Sequence, residues 1–162
     1  MGNINNNQTS NFIKSVALLT YSHSSYKDVL DIYFLQLTKC FPQINGYLLI
    51  DKLHSIIPSN HKVIHYDDDT YYYKHILNAL KIIEEDYIIY MQDDFILFDE
   101  PNLNILNQCL TKISLNNIDF IRLIRSGDMN NLTTESFHEI PENSKSLFSM
   151  QATLWKKSTL LK

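Results

Sequence analysis

A short apolar segment that ends in two aspartates constrains the fold of this chain most strongly. Residues 87–91 (YIIYM) are β-branched, aromatic or otherwise apolar without interruption, which is typical of a strand covered on both faces. The run ends at Gln92, and Asp93 and Asp94 follow. Adjacent carboxylates at the end of a buried strand repel each other and lose hydration, and a divalent cation relieves both effects. The segment therefore predicts a cation site at a strand end, with a solvated acidic turn as the alternative.

Length, composition and charge limit the classes of protein that fit. The chain has 162 residues, 44% of them hydrophobic, which suits one domain with a substantial core. The formal charge of −4 comes from 18 acidic and 14 basic residues, and no Lys/Arg cluster is present, so we expect no nucleic-acid partner. No apolar run is long enough to span a membrane. Cys40 and Cys109 lie in apolar, helix-like patterns, which predicts reduced core thiols and a cytoplasmic protein.

The order of predicted strands and helices gives the fold class. We expect residues 1–14, rich in Asn, to form a disordered tail, and residues 15–162 to form one domain. Helices are predicted to begin near Ser25, at Asp69 or Thr70, after Pro101 and at Trp155. Strands are predicted at 15–20, 46–51, 62–66, 87–91, 119–125 and 146–152. This alternation predicts an α/β fold, with a doubly wound, mainly parallel sheet flanked by helices.

Three amphipathic stripes predict which helix faces are buried. Ser25 and Asp28 have the spacing of a capping box for the first helix, and residues 67–69, all aspartates, have the charge that suits the start of the second helix. The predicted buried positions are Tyr26, Leu30, Tyr33, Phe34, Leu37 and Phe41 in the first helix; Tyr73, Ile76, Leu77, Leu80 and Ile83 in the second; and Leu103, Leu106, Leu110 and Ile113 in the third.

The last part of the chain is harder to assign to regular elements. Residues 126–145 are polar and lack helical periodicity, which predicts a long surface loop of the kind often found over an active site. The apolar helix expected from Trp155 runs to Lys162 without a C-cap, so we expect the domain to lack a C-terminal segment of a longer protein.

Three segments together resemble a known family. They are VALLTYSH at 16–23, LLID at 48–51 and YIIYMQDDF at 87–95. In this order, and with helices predicted between them, they resemble the nucleotide-binding half of GT-A fold glycosyltransferases, nearest to the family 2 type. The resemblance covers residues 15–162. It implies a Rossmann-like nucleotide-diphospho-sugar transferase that moves a sugar from a UDP- or GDP-linked donor to a saccharide or glycan acceptor.

The resemblance also implies roles for residues at the first three strand ends. Thr20 and Tyr21 would lie against the nucleotide base, with Ser22 in the same nucleotide-binding loop. Asp51, which ends the second strand, would accept a hydrogen bond from a base N–H group. Lys74 would approach the nucleotide from the following helix.

The acidic motif after the fourth strand would hold the rest of the donor. By the resemblance, Asp93 faces the ribose or diphosphate, and Asp94 is the last acid of the motif and ligates Mn²⁺ or Mg²⁺. Gln92 stands where the family usually has an acid, and an amide binds a hard cation less strongly than a carboxylate does. The resemblance identifies no residue as the general base, and the candidates by position alone are Asp128, Glu135 and Glu139.

Two other functions fit parts of the same sequence. One is a binding module that recognises a nucleotide sugar without turning it over, because Gln92 replaces an acid and we expect a C-terminal region to be missing. The other is a receiver-like signalling domain, which also has acids at strand ends. A receiver needs an acidic pair after its first strand, whereas Thr20, Tyr21 and Ser22 stand there.

Overall fold

The computed structural model of the protein describes residues 12, 14–116, 118–124, 137, 139–145 and 151–161. Asp128, Glu135 and positions 146–150 of the predicted sixth strand lie outside these residues. The described chain contains a six-stranded sheet with the order β3-β2-β1-β4-β6-β5. Its strands are β1 (Val16–Tyr21), β2 (Gly46–Ile50), β3 (His61–His65), β4 (Tyr87–Gln92), β5 (Phe120–Arg122) and β6 (Thr153–Lys156).

Helices connect the strands and cover the sheet. They are α1 (Lys27–Cys40), which follows a 3₁₀ turn (Ser24–Tyr26), then α2 (Tyr72–Ile82), α3 (Leu103–Leu115) and the short α4 (Lys157–Leu160). β1 to β4 are mutually parallel, β6 pairs antiparallel with β4, and β5 pairs antiparallel with β6. The predicted α/β fold with a mainly parallel sheet is confirmed. Among the described residues, no helix is both long and apolar enough to cross a membrane.

The core lies on both faces of the sheet because its strands are apolar at successive positions. Leu18 and Ile89 face α1 and α3 on one side, while Leu19 and Ile88 face α2 on the other. This arrangement is what the uninterrupted apolar runs predict for interior parallel strands. Cys40 and Cys109 are buried free thiols, as predicted.

Phe12 and Lys14, which belong to the predicted tail, are both helical, and Phe12 packs in the core. Phe12 is fully buried and belongs to the same core cluster as Val16 and Ile44. Because an aromatic side chain buries a large apolar area, this single residue fixes the chain ahead of β1. Residues 1–11 and 13 lie outside the described part.

The structure corrects the predicted starts of two helices and the predicted burial of Tyr26 and Tyr73. α1 begins after Tyr26, whose side chain is exposed and makes no capping hydrogen bond, so Ser25 and Asp28 do not form a capping box. α2 begins after Tyr71, and the 67–69 aspartates form a turn ahead of it instead of capping it. Tyr73, in the first turn of α2, is exposed, whereas His75 and Ala79 lie in the core, together with Leu80 as predicted.

The end of the chain corrects another prediction. Trp155 lies in β6 and pairs with Ile88 and Phe120 on its two sides, so the predicted helix starts only at Lys157. Residues 153–156 (TLWK) form one short strand between β4 and β5. Periodicity does not distinguish strand from helix in a run of this length. Here the run forms a strand because it pairs with the edge of β4.

Candidate functional site

The carboxyl ends of β1 to β4 meet at one edge of the sheet, where seven of the eight predicted site residues lie at or just beyond a strand end. Tyr21 pairs with Gln92, so β1 and β4 end at the same level. The chain leaves β1 through residues 22–25, which we call the β1 loop. In open α/β sheets this edge is where ligands bind. Lys74, the eighth predicted residue, lies in the first turn of α2.

Ser22 and Asp93 form a buried pair that joins the β1 loop to the end of β4. The Ser22 hydroxyl donates to Oδ2 of Asp93 at 2.5 Å, and both residues are buried. Burial raises the pKa of the Asp93 carboxyl, the bond from Ser22 opposes this, and the neighbouring charge of Asp94 raises it further. The Asp93 amide also donates to the carbonyl oxygen of Tyr21. Asp93 is therefore turned into the protein and holds the turn that carries Asp94.

Asp51 is bound by the same loop. The Ser24 amide donates to Oδ1 of Asp51 at 2.7 Å, and the Ser24 hydroxyl donates to Oδ2 at 2.6 Å. The Asp51 side chain is only 8% exposed. Burial by itself would raise the pKa of this carboxyl, but donation by Ser24 and by the Lys52 amide, with His23 nearby, lowers it below its usual value.

His23 extends this network to the end of β3. Its Nδ1 accepts the amide hydrogen of Ser25 at 3.1 Å, which leaves Nε2 to carry the proton of the neutral ring. Nε2 lies 3.3 Å from Oδ2 of Asp68 and 3.8 Å from Oδ2 of Asp51. The β1 loop therefore contacts carboxylates that follow β2, β3 and β4.

Tyr21 packs within an aromatic cluster. Its ring stacks on Tyr66 with centroids 5.3 Å apart and meets Tyr72 edge-on at 4.9 Å. Nε2 of His75 lies 3.0 Å from the carbonyl oxygen of Asp67, to which it donates, so Nδ1 accepts the hydroxyl hydrogen of Tyr21 at 3.2 Å. The Tyr21 hydroxyl thus has a hydrogen-bond partner inside the protein, and one face of its ring packs against Tyr66.

Thr20 does not present its side chain to the edge of the sheet. It is fully buried, and its hydroxyl lies 2.8 Å from the hydroxyl of Tyr33 in α1. Burial also raises the pKa of Tyr33. This corrects the expectation that the Thr20 side chain lies against a base.

The remaining predicted residues are more accessible. Asp94 is exposed, and its side chain makes no hydrogen bond or ion pair with the described part of the chain. Gln92 is half-buried at the end of β4. Lys74 is exposed, with Nζ 5.6 Å from the centroid of the Tyr71 ring. Of the general-base candidates, Glu139 is described and exposed.

No metal-binding cluster is preformed among these residues. Within the ranges that the structure describes, no three or more His, Cys, Asp and Glu side chains come together in a way that could hold an ion. Asp94 is the accessible carboxylate of the motif, while Asp93 already accepts a bond from Ser22. A cation at this edge would need ligands besides the side chains that the structure describes here.

The β1 loop contains two residues of the site that the sequence motifs do not predict. They are His23 and Ser24, and each contacts a carboxylate at another strand end, as the predicted site residue Ser22 does. The available signal was the unbroken polar run at 22–25 directly after a buried strand. Such a run at the carboxyl edge of a sheet is as well suited to bind neighbouring loops as to start a helix.

No protein-family model matches this chain, and no curated protein sequence matches it. Solved structures do match its fold. A cytidylyltransferase from Leptospira borgpetersenii is 17% identical with a TM-score of 0.55, over 90% of this chain and 62% of that one. S. aureus TarS 1-349 is 15% identical with a TM-score of 0.53, over 89% and 47%. Mannosyltransferase PcManGT from Pyrobaculum calidifontis, in complex with GDP-Man and Mn²⁺, is 7% identical with a TM-score of 0.51, over 74% and 41%.

These similarities establish the fold. The chain has the GT-A-like, Rossmann-type fold of nucleotide-sugar transferases and nucleotidyltransferases, as the resemblance of its strand-end segments predicted. It spans between 41% and 62% of the length of these structures. TarS 1-349 has also been solved in complex with UDP-GlcNAc and with UDP.

Proposed function

We propose that this chain binds a nucleotide-diphosphate sugar together with Mn²⁺ or Mg²⁺, and that it is the donor-binding part of a glycosyltransferase with a saccharide or glycan acceptor. One observation carries the proposal: Asp94 is an exposed carboxylate held at the carboxyl end of β4. The fold supports it, because PcManGT and TarS share this fold and have been solved with GDP-Man and Mn²⁺ and with UDP-GlcNAc, respectively.

The side chains at the end of β4 suit a hard divalent cation. Asp94 and Gln92 offer oxygen atoms, which Mg²⁺ and Mn²⁺ prefer. Such ions are often held by one or two carboxylates and the phosphates of the substrate, which agrees with the lack of a three-residue cluster in the described residues. When bound, the cation would stabilise negative charge on the leaving diphosphate.

The other residues of the site would orient the donor. Asp93, fixed by Ser22, holds the turn in which Asp94 points outward. The β1 loop lies over the ends of β2 and β3 through its contacts with Asp51 and Asp68 and would form the wall beside the nucleotide. Lys74 would attract the diphosphate, because its ammonium group is exposed and makes no ion pair among the described residues.

The similarity to a cytidylyltransferase makes nucleotidyl transfer a second candidate function. That reaction consumes a triphosphate, and loops that cradle several phosphates with backbone N–H groups are usually rich in glycine. The β1 loop contains no glycine, and the three glycines of the chain lie at positions 2, 46 and 127. This difference favours sugar transfer.

Product analysis separates the candidate functions. A glycosyltransferase releases UDP or GDP from its donor when an acceptor is present, whereas a nucleotidyltransferase releases pyrophosphate from a nucleoside triphosphate. A binding module releases neither product and still binds the nucleotide sugar.

Calorimetry tests donor binding directly. We expect UDP or GDP to bind in the presence of Mn²⁺ and to bind at least about tenfold more weakly in EDTA, because the cation joins the diphosphate to Asp94. Equal affinity with and without EDTA would contradict the cation site. Absence of binding to any nucleoside diphosphate would contradict the proposed function.

A further inference from the structure

We propose that the hydrogen bonds from Ser24 prevent Asp51 from binding the nucleobase, so that the donor site does not distinguish uracil from cytosine. This inference rests on the proposed function, since it concerns which nucleotides the site accepts. It starts from the two hydrogen bonds between Ser24 and Asp51, which connect the β1 loop to the end of β2.

The geometry leaves little of Asp51 for a ligand. Each carboxylate oxygen accepts a hydrogen bond from Ser24, one from its amide and the other from its hydroxyl. The Lys52 amide also lowers the pKa of the same carboxylate, and Nε2 of His23 lies 3.8 Å from Oδ2. With its side chain 8% exposed, Asp51 is a support for the loop.

A carboxylate that faced the base would discriminate between pyrimidines. Uracil has an N–H donor at N3, whereas cytosine has a lone pair there that a carboxylate repels. A hydrogen bond to a charged acceptor contributes about 1.5–3 kcal/mol, which corresponds to about tenfold or more in affinity. Because Ser24 donates to both oxygens of Asp51, this carboxylate does not discriminate between uracil and cytosine.

The neighbouring polar side chains also have hydrogen-bond partners inside the protein. The hydroxyl of Thr20 faces Tyr33, and the hydroxyl of Tyr21 faces His75. His23 directs Nε2 to Asp68. The side chains at the end of β1 that could read the edge of a base therefore have internal partners, and the affinity comes from the cation and the diphosphate, which UDP and CDP share.

The test compares UDP and CDP, which differ only in the base and have nearly the same shape. Their dissociation constants are measured by calorimetry with Mn²⁺ for the wild-type chain, Ser24→Ala and Ser24→Gly. Ser114→Ala is the matched control, because it removes an exposed serine hydroxyl that bonds the Thr111 carbonyl oxygen in α3, outside the β1 loop. The double variant Ser24→Ala/Asp51→Ala reports whether any change acts through the carboxylate. Circular dichroism confirms that each variant is folded.

We expect the wild type and Ser114→Ala to bind UDP and CDP within about threefold of each other. Ser24→Ala should shift the ratio toward UDP by about tenfold, and Ser24→Gly at least as much because it also removes the Cβ atom. The double variant should return to the wild-type ratio.

Two results would overturn the inference. One is a wild-type preference for UDP over CDP of tenfold or more, and the other is a ratio that neither Ser24 variant changes. In both cases the nucleotides bind, so the proposed function stands. Failure of every nucleoside diphosphate to bind the wild type would instead refute the proposed function, and the inference with it.

Discussion

Asp51 and Asp94 each follow a buried parallel strand at the same edge of the sheet, but their surroundings differ. Asp51 has an 8% exposed side chain and accepts hydrogen bonds from the amide and the hydroxyl of Ser24. Asp94 is exposed, and its side chain has no partner among the described residues. Its neighbour Asp93 resembles Asp51 in this respect, because it is buried and bound to Ser22.

This difference shows that the position of an acid at a strand end is not sufficient to make it a ligand. The carboxyl edge of a parallel sheet collects polar groups, and those that are not used by a ligand must be satisfied by the protein. In this chain the β1 loop satisfies two of the acids and leaves the third accessible. We therefore expect variants of Asp51 to affect folding and variants of Asp94 to affect binding.

The largest expected effect on stability separates Asp51 from Asp94. Asp51→Ala should lower the free energy of unfolding by about 3 kcal/mol, because it removes the acceptor of several charge-assisted hydrogen bonds in a buried place. Asp94→Ala should change it by no more than about 0.5 kcal/mol, as is usual for an exposed residue. Urea unfolding followed by circular dichroism measures both. Equal losses would contradict the distinction.

A smaller effect is expected at Thr20, where the resemblance implied a ligand contact. Thr20→Val should lower the free energy of unfolding by about 1–2 kcal/mol, since it leaves the buried hydroxyl of Tyr33 without its partner. The double variant Thr20→Val/Tyr33→Phe should recover part of this loss, because both polar groups are then absent. Nucleotide affinity should not change in either variant. A clear loss of affinity would show that Thr20 belongs to the binding site.

The smallest expected effect is a pH dependence at Asp51. Its folded-state pKa lies below the usual value of 3.8, so at acidic pH the unfolded chain binds more protons than the folded one. The stability from this carboxylate is complete above the unfolded pKa and is lost as the pH falls through the folded pKa. The gap in unfolding free energy between the wild type and Asp51→Asn should therefore narrow below pH 3.8. A gap that is constant from neutral to acidic pH would show that Asp51 does not act through its charge.

The sequence predicted most of the parallel half of the sheet. The strands β1, β2 and β4 are covered on both faces, so each is an uninterrupted apolar run. Such a run identifies an interior strand without information about the strands that pair with it. The antiparallel half depends on pairing between distant segments. Trp155 was assigned to a helix because nothing in its neighbourhood shows that β6 fills the edge of β4.

The candidate site was predicted in position but not in detail. The edge of the sheet and the acids at 51, 93 and 94 follow from strand ends. Which acid remains accessible depends on the path of the β1 loop, and the hydroxyls of Ser22 and Ser24 have no sequence signature that shows which carboxylate they bind. Tyr73 illustrates the same limit, since it lies in α2 as predicted but its side chain is exposed.

The most direct test of the account is the affinity of Mn²⁺-bound UDP for Asp94→Asn and Asp86→Asn. Asp86 immediately precedes β4 and Asp94 follows it, so the two variants make the same charge change at opposite ends of one strand. We expect Asp94→Asn to weaken binding by at least the 10- to 100-fold typical of a lost supporting ligand, while Asp86→Asn binds as the wild type does. Similar affinities for the two variants would contradict the claim that the exposed acid of β4 is where the cation and the diphosphate bind.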